Sequence, residues 1–262
     1  MTVSAVETLG RLHRFPFLRA NAHRWRPERV WEAEGGRDAA LLTTPGHAGR
    51  MLVGTGEPRQ LAPVLAEVVH SGQIGPVDRA LLTAGTWQLL PEEARASSGM
   101  ERVSQWDWMR TSEAPAPVPG EDRAGPVGTG EEALQTVYPV LHAGYPERGA
   151  RPSDVESLWW GYTHPGDDQV PPGLAAVVAA TVPDAHAAPG AGVHLAAVAV
   201  DPRYRRRGVA TALTAAITRW GISQHGMVHL GVYSDNAAAI GIYRALGFHF
   251  EISVETLTPA SS

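Results

Sequence analysis

The chain has no cysteine, and its 22 basic residues are all arginine, so lysine is missing as well. Without cysteine there are no disulfides, no thiolate metal sites and no mechanism that parks a group on a thiol. Any group transfer must use another nucleophile or pass directly between substrates. The arginine-only usage, with abundant Ala, Gly and Pro, is what codon bias in a GC-rich, bacterial-type genome produces. Charge is sparse: 19% of residues are charged and the formal net charge is −5, with a pI near 6.1. Nucleic-acid binding would therefore need a local basic patch, and only Arg203 to Arg207 offers one. No apolar run is long enough to span a bilayer, and Met1 to Arg19 has no uninterrupted core of signal-peptide length. The expectation is a cytoplasmic protein with no membrane partner. At 262 residues and 44% hydrophobic, it has room for one large domain or two ordinary ones.

Composition breaks most clearly at Ser112 to Gly130, SEAPAPVPGEDRAGPVGTG, which reads as a linker between residues 1–111 and 131–262. Before it the pattern predicts helices at Val3–Arg11, Pro16–Arg24 and Pro58–His70. Strands are expected at Ala39–Thr44, Arg50–Gly54, Arg79–Ala84 and Arg102–Met109. After it come a helix at Glu131–His142 and a second from Ser153, where Glu156 completes a capping box. Strands at Gly173–Val182 and Val193–Val200, helix Gly208–His225, strand Met227–Tyr233, helix Asp235–Leu246 and strand Phe248–Thr256 follow. The order suits an α/β fold (α+β, a mixed sheet with helices on its faces), preceded by a smaller α/β domain. Gly54-Thr-Gly56, Gly128-Thr-Gly130 and Gly190-Ala-Gly192 lack the third glycine of a dinucleotide fingerprint and read as turns. No HExxH or comparable His and carboxylate spacing appears, so no metal is expected.

One segment carries chemistry. The apolar strand His194-Leu-Ala-Ala-Val-Ala-Val200 leads through Asp201-Pro-Arg-Tyr-Arg-Arg-Arg207 to Gly208-Val-Ala210 and straight into a helix. The first turn of a helix leaves amide N–H groups unpaired and carries partial positive charge, so linked phosphates can accept several backbone bonds there. A small Gly208 and Ala210 would let them approach. An arginine-rich surface turn before an ordinary helix would look the same from its charge alone.

The pattern Arg205-x-x-Gly208-x-Ala210 after Ala199-Val200-Asp-Pro resembles the acyl-CoA signature of the GNAT superfamily of N-acyltransferases. Independently, Gly231-Val-Tyr-Ser-Asp-Asn236-Ala-Ala-Ala239-Ile-Gly-Ile-Tyr243-Arg-Ala-Leu-Gly247-Phe248 resembles its closing strand, helix and Gly-Phe turn. The resemblance implies a GNAT fold over the second half and acetyl-CoA, or another acyl-CoA, as cosubstrate. It implies that Val198 and Val200 hold the pantetheine amides through their backbone. Arg205, Arg206, Arg207, Gly208, Val209, Ala210 and Thr211 would hold the pyrophosphate, while Asn236, Ala239 and Tyr243 would line the cofactor.

Direct acyl transfer needs an amine deprotonated, a carbonyl polarised and a proton for the departing thiolate. In the resembling family the tyrosine matching Tyr243 lies near the coenzyme sulfur as general acid; a core aromatic anchoring its helix is the alternative. Asn236 could cap that helix and also touch the cofactor. Simple alternation puts His194, Ala196, Val198 and Val200 on one face of their strand. His194 stands where many GNAT members carry a glutamate base, and an imidazole suits a base near neutral pH. It could equally be a solvated edge residue. Tyr145, Trp159-Trp160-Gly-Tyr162 and His164 could wall an acceptor site, with at least one Trp needed for the core.

Residues 1–111 resemble the cofactor-less first half of tandem GNAT proteins such as mycothiol synthase and the glycine N-acyltransferases, and contain no Arg-x-x-Gly-x-Ala loop. The expected partner is a small-molecule amine, an amino acid or antibiotic-like metabolite, met by a monomer or homodimer. A protein α-amine is the alternative acceptor, although protein N-terminal acetylases of this type are generally single domains. A non-catalytic acyl-CoA-binding module is the alternative outside enzymes.

Overall fold

The computed structural model describes residues 12–33, 38–46, 49–148, 151–185, 187 and 189–260; the helix expected at Val3–Arg11 lies outside them. The chain forms two compact units. One comprises Met1–Trp108, Val232–Asp235 and Glu251–Ser262, and the other Met109–Gly231 and Asn236–Phe250. The last strand of the sequence therefore returns to the first unit.

In the first unit a short helix α1 (Pro16–Ala20) precedes β1 (Arg29–Glu32), β2 (Ala39–Pro45) and β3 (Arg50–Gly56), each antiparallel to the one before. Helix α2 (Pro58–His70) crosses to β4 (Arg79–Thr83), which runs parallel to β3. Single-turn α3 (Thr86–Leu89) and α4 (Glu92–Ser98) lead into β5 (Met100–Thr111). Proline at the first helical position suits the start of α2, and Leu61, Leu65 and Val68 recur at helical spacing to bury one face on Leu41, Leu52 and Leu82. Truncating such a leucine to alanine costs about 2–5 kcal/mol. Gly54-Thr-Gly56, expected as a turn, lies inside β3, where apolar neighbours on both sides sustain the strand.

The second unit holds β6 (Ala124–Gly128), α5 (Gly130–Gly144), β7 (Leu158–His164), β8 (Gly173–Thr181) and β9 (Val193–Val200). Helix α6 (Val209–His225), β10 (Val228–Tyr233) and α7 (Ala237–Ala245) follow, and β11 (His249–Pro259) pairs antiparallel with β4 from Val254↔Thr83 to Leu257↔Ala80. Strands β6 to β9 are antiparallel in order, and β9 and β10 are parallel about α6. The same sequence of pairings, two antiparallel steps and then a parallel βαβ crossover, occurs in β1-β2-β3-α2-β4 and in β7-β8-β9-α6-β10.

Two expectations need correction here. The stretch 112–130 carries a 3-10 turn at Glu121–Arg123 and the strand β6, which pairs with β7 from Ala124↔Tyr162 to Gly128↔Trp159. Glu121 accepts from Val118 N–H and from the Arg219 guanidinium of α6, which orders the turn. The helix expected from Ser153 is only a 3-10 turn, Pro152–Asp154. Leu158-Trp-Trp-Gly-Tyr-Thr-His164 forms β7 instead, because aromatic and β-branched residues with partners on both edges outweigh a local capping signal.

Candidate active site

Strand β9 is irregular where it matters. It pairs with β10 only from Val193↔Val228 to Leu195↔Leu230. From Ala196 onward its backbone has no ladder partner on that side. On its other edge the register to β8 slips: Ala179 opposes Ala196 but Ala176 opposes Val200, one extra residue on β9. Ala197 absorbs the insertion with φ of 54°, a left-handed value that a non-glycine residue rarely adopts. A one-residue bulge reverses the alternation that follows it. Val193 packs toward α6 at Gly221, so His194 points to the opposite face, and beyond the bulge it is Ala197 and Ala199 that join Val137 and Leu141 of α5. The expected common face for His194, Val198 and Val200 is thus broken between Ala196 and Val198. At Gly144, the end of α5, a Cβ would come 2.8 Å from both Val200 N and Val200 O, so only glycine lets the helix rest on this backbone.

Eight residues beyond β9, α6 begins. Gly208, at φ 73°, is its N-cap and supplies no side-chain cap. A Cβ there would meet no atom of the described residues within 4 Å; the glycine is required by its backbone angle, and the described residues leave the space before the helix open. The first-turn amides of Val209, Ala210 and Thr211 have no intrahelical acceptor. The arginines around them are differently placed. Arg203 is held by Asp201, whose carboxyl sits below its ordinary range through the Arg203 side-chain hydrogen bond, burial opposing. Arg205 donates to Gly144 O at 3.2 Å, and Arg207 is held by Asp167 and Gln169. Arg206, exposed and at φ 62°, has no side-chain partner among the described residues.

Helix α7 is capped by Asn236, whose Oδ1 accepts from Ala239 N–H at 3.1 Å. Two turns on, Tyr243 is 7% exposed and packs at a tilt against Phe248, ring centroids 5.8 Å apart. Burial pushes its phenol up to about 12, so it keeps its proton at neutral pH.

His194 has a neighbour that spacing did not disclose. His229 lies directly across the parallel β9–β10 pair, is fully buried, and brings its Nδ1 to 3.4 Å from His194 Nδ1, ring centroids 5.0 Å apart. One Nδ1 must donate and the other accept, so the neutral rings take opposite tautomers. Alternation within Val228-His-Leu-Gly-Val-Tyr233 allowed a buried His at 229; nothing in the sequence placed it opposite His194.

Residues 134–248 match the family model described as the Acetyltransferase (GNAT) family. These residues form a GNAT acetyltransferase domain. Solved structures share the fold of the chain as a whole. A GNAT-family acetyltransferase from Colwellia psychrerythraea aligns at TM-score 0.56 and 13% identity over 99% of both chains. A GCN5-related N-acetyltransferase from Kribbella flavida aligns at TM-score 0.54 and 16% identity over 96% of both. A GCN5-related N-acetyltransferase-like protein from Streptococcus suis aligns at 0.52 and 12% over 97% of this chain and 99% of that one. No curated protein matches the sequence.

Within the GNAT domain the aromatic residues expected around an acceptor separate. Trp159 is fully buried beneath α5 and donates from Nε1 to Asp154 O at 2.8 Å. Trp160, one residue on and therefore on the other face, packs on Trp220 of α6 at 5.6 Å. Tyr162, 4% exposed, lies against Gly120. The rings of Trp160 and Tyr162 are committed to the core on the α6 side. His164 packs at a tilt against Tyr204, ring centroids 5.4 Å apart. Tyr145 ends α5 and packs, half-buried, against the cluster that holds Ala197 and Ala199, which leaves it as the aromatic residue near the bulge.

Proposed function

We propose that the GNAT domain transfers an acetyl group, or another short acyl group, directly from the coenzyme A thioester to a primary amine of a small molecule, an amino acid or antibiotic-like amine metabolite. One arrangement carries the reading: a strand that parts from its neighbour after Leu195, bulges at Ala197 and delivers the chain into an uncapped helix N-terminus. Amide-bearing pantetheine fits the unpaired backbone from Ala196 to Val200, and a pyrophosphate fits the amides of Val209, Ala210 and Thr211 beside Arg206. Asn236 and Ala239 border the same cosubstrate in this reading.

When bound, the thioester supplies the acyl carbon. The protein moves the protons. In this reading His194, its Nδ1 set against His229 Nδ1 at 3.4 Å, takes the proton of the amine through Nε2. The amine nitrogen then bonds the acyl carbon, the C–S bond breaks, and a backbone N–H at the bulge near Val198 polarises the carbonyl oxygen. By the resemblance, Tyr243 would lie near the coenzyme sulfur. A phenol near 12 facing a thiol of ordinary pKa about 8.5 would transfer its proton uphill by about 5 kcal/mol. Tyr243 therefore acts as a hydrogen-bond donor to the developing thiolate, which takes its final proton from water. Products are an amide and free thiol, balanced in protons by release from His194.

The test is thiol release from acetyl-CoA over a panel of amino acids and amine metabolites, with His194→Ala and Tyr243→Phe as controls. Amine-dependent release that both substitutions suppress supports the reading. Amide formation on peptide N-termini alone would move the acceptor to protein, and binding of acetyl-CoA without turnover on any amine would leave a non-catalytic module.

A further inference from the structure

The first unit contains a cavity of about 250 Å³ beneath α2. Its wall is apolar: Leu65 and Val68 of α2, Ile74 after the helix, Leu82 of β4, Trp87 and Leu257. Among the described residues no charged side chain lines it, and the only side-chain hydroxyls belong to Ser97 and Ser98. Ser98 is already used, donating to Arg95 O and accepting from Met100 N–H. The nearby Arg50 guanidinium is held by Glu28 and by Ile74 O. The cavity opens where Gly72, Gly75 and Ser97 reach solvent.

Position distinguishes it from a vestigial cofactor slot. The first unit repeats the βαβ crossover of the GNAT domain, yet β3 ends at Gly56 and α2 begins at Pro58, leaving only Glu57 as N-cap. A carboxylate there repels phosphate and the proline lacks an amide hydrogen to donate. No residue from Val53 to Val64 lines the cavity, which lies instead around the second half of α2 and the residues that follow it.

We propose that this cavity is a binding site for an uncharged, largely hydrocarbon or aromatic small molecule. A dry cavity of about 150 Å³ accepts benzene, so this one has room for about ten to twelve non-hydrogen atoms. The apolar wall rejects a carboxylate or ammonium because burying a charge there leaves it unpaired. Polar partners for a ligand are few, the Ser97 hydroxyl at the mouth and the Trp87 indole being the side-chain candidates. The site is independent of the transfer chemistry proposed above.

Indole is the probe, titrated into the full-length protein without acetyl-CoA and followed by the methyl resonances of Leu65, Val68 and Leu257. Saturable shifts are expected, weakened at least tenfold in Ala80→Leu, which fills the cavity from β4, and absent with indole-3-acetate. Val69→Phe, which narrows the cavity from a half-buried position, gives the same reading should Ala80→Leu fail to fold. The proposal is overturned by no saturable shift up to the solubility limit of indole, by equal affinity in the wild type and the filling variants, or by equal affinity for indole-3-acetate.

Discussion

Removing the Arg148 guanidinium should destabilise the GNAT domain more than any surface charge change. Arg148 and Asp154 form a two-pronged pair, Nη1 to Oδ2 at 2.9 Å, with side chains only 4% and 2% exposed. Asp154 also accepts from Arg151 N–H at 2.8 Å, and its carbonyl receives the Trp159 indole. Arg148→Met fills the volume but leaves a buried carboxylate with one amide partner, a loss of about 3–5 kcal/mol against about 0–1 for an exposed pair. At about 2–4 °C per kcal/mol, Tm should fall by roughly 6–20 °C. Acid sensitivity follows from the same pair. Burial pushes the Asp154 carboxyl up, but the Arg148 hydrogen bond, the Arg151 amide and both guanidinium charges outweigh it and leave it below 3.8. Its contribution is thus complete above that pH and lost as pH falls through the lowered folded value. Wild-type stability should drop in that window, and Asp154→Asn should drop less. Urea unfolding at neutral pH and a Tm series down to strong acid measure both. A loss under about 1 kcal/mol for Arg148→Met would refute the reasoning, because it is what an exposed pair gives.

Tyr243→Phe should lower kcat about 10²-fold with KM for acetyl-CoA little changed, as for loss of a donor used only when charge develops; an unchanged kcat removes Tyr243 from the mechanism. His229→Leu should reduce kcat while acetyl-CoA binding is retained, and His229→Gln, which keeps a hydrogen-bonding partner for His194 Nδ1, should recover part of it. Equal loss in both variants would make His229 a packing residue only. In the first unit, burial raises the Glu255 carboxyl although the amides of Trp87, Gly85 and Thr86 and the charge of Arg102 oppose it. Its stabilising contribution is present below the unfolded value and lost as pH rises through the folded one. Glu255→Gln should therefore flatten a decline in Tm that sets in as pH rises above about 4.5, which a pH series of melting curves reads directly.

Much of this was visible in the residues. The run from Val193 to Val200, apolar but for His194, the glycine before α6 and the Asn236-to-Tyr243 spacing set out the βαβα half of the GNAT domain because each rests on local periodicity or a local cap. What stayed hidden depends on distant pairing. Strand β7 was masked by a Ser153 and Glu156 signal that yields only a 3-10 turn, since partners at β6 and β8 decide the matter. The bulge at Ala197 carries no glycine to announce it. Nor does anything near β11 show that Val254 to Leu257 will join β4, some 170 residues earlier. At the site, Asn236 was readable as a cap, whereas the His194–His229 contact required the parallel register of β9 and β10.

The central claim is that the opening beside β9 and the uncapped start of α6 hold an acyl-CoA. Calorimetric titration of acetyl-CoA into the wild type and a Gly208→Glu variant tests it most directly. Gly208 is exposed at φ 73° with open space before it among the described residues, so the substitution costs about 1–2 kcal/mol of backbone strain and places a carboxylate where phosphate would sit. The account predicts saturable binding by the wild type and none by a folded Gly208→Glu. Failure of the wild type to bind, or equal binding by both, would contradict it.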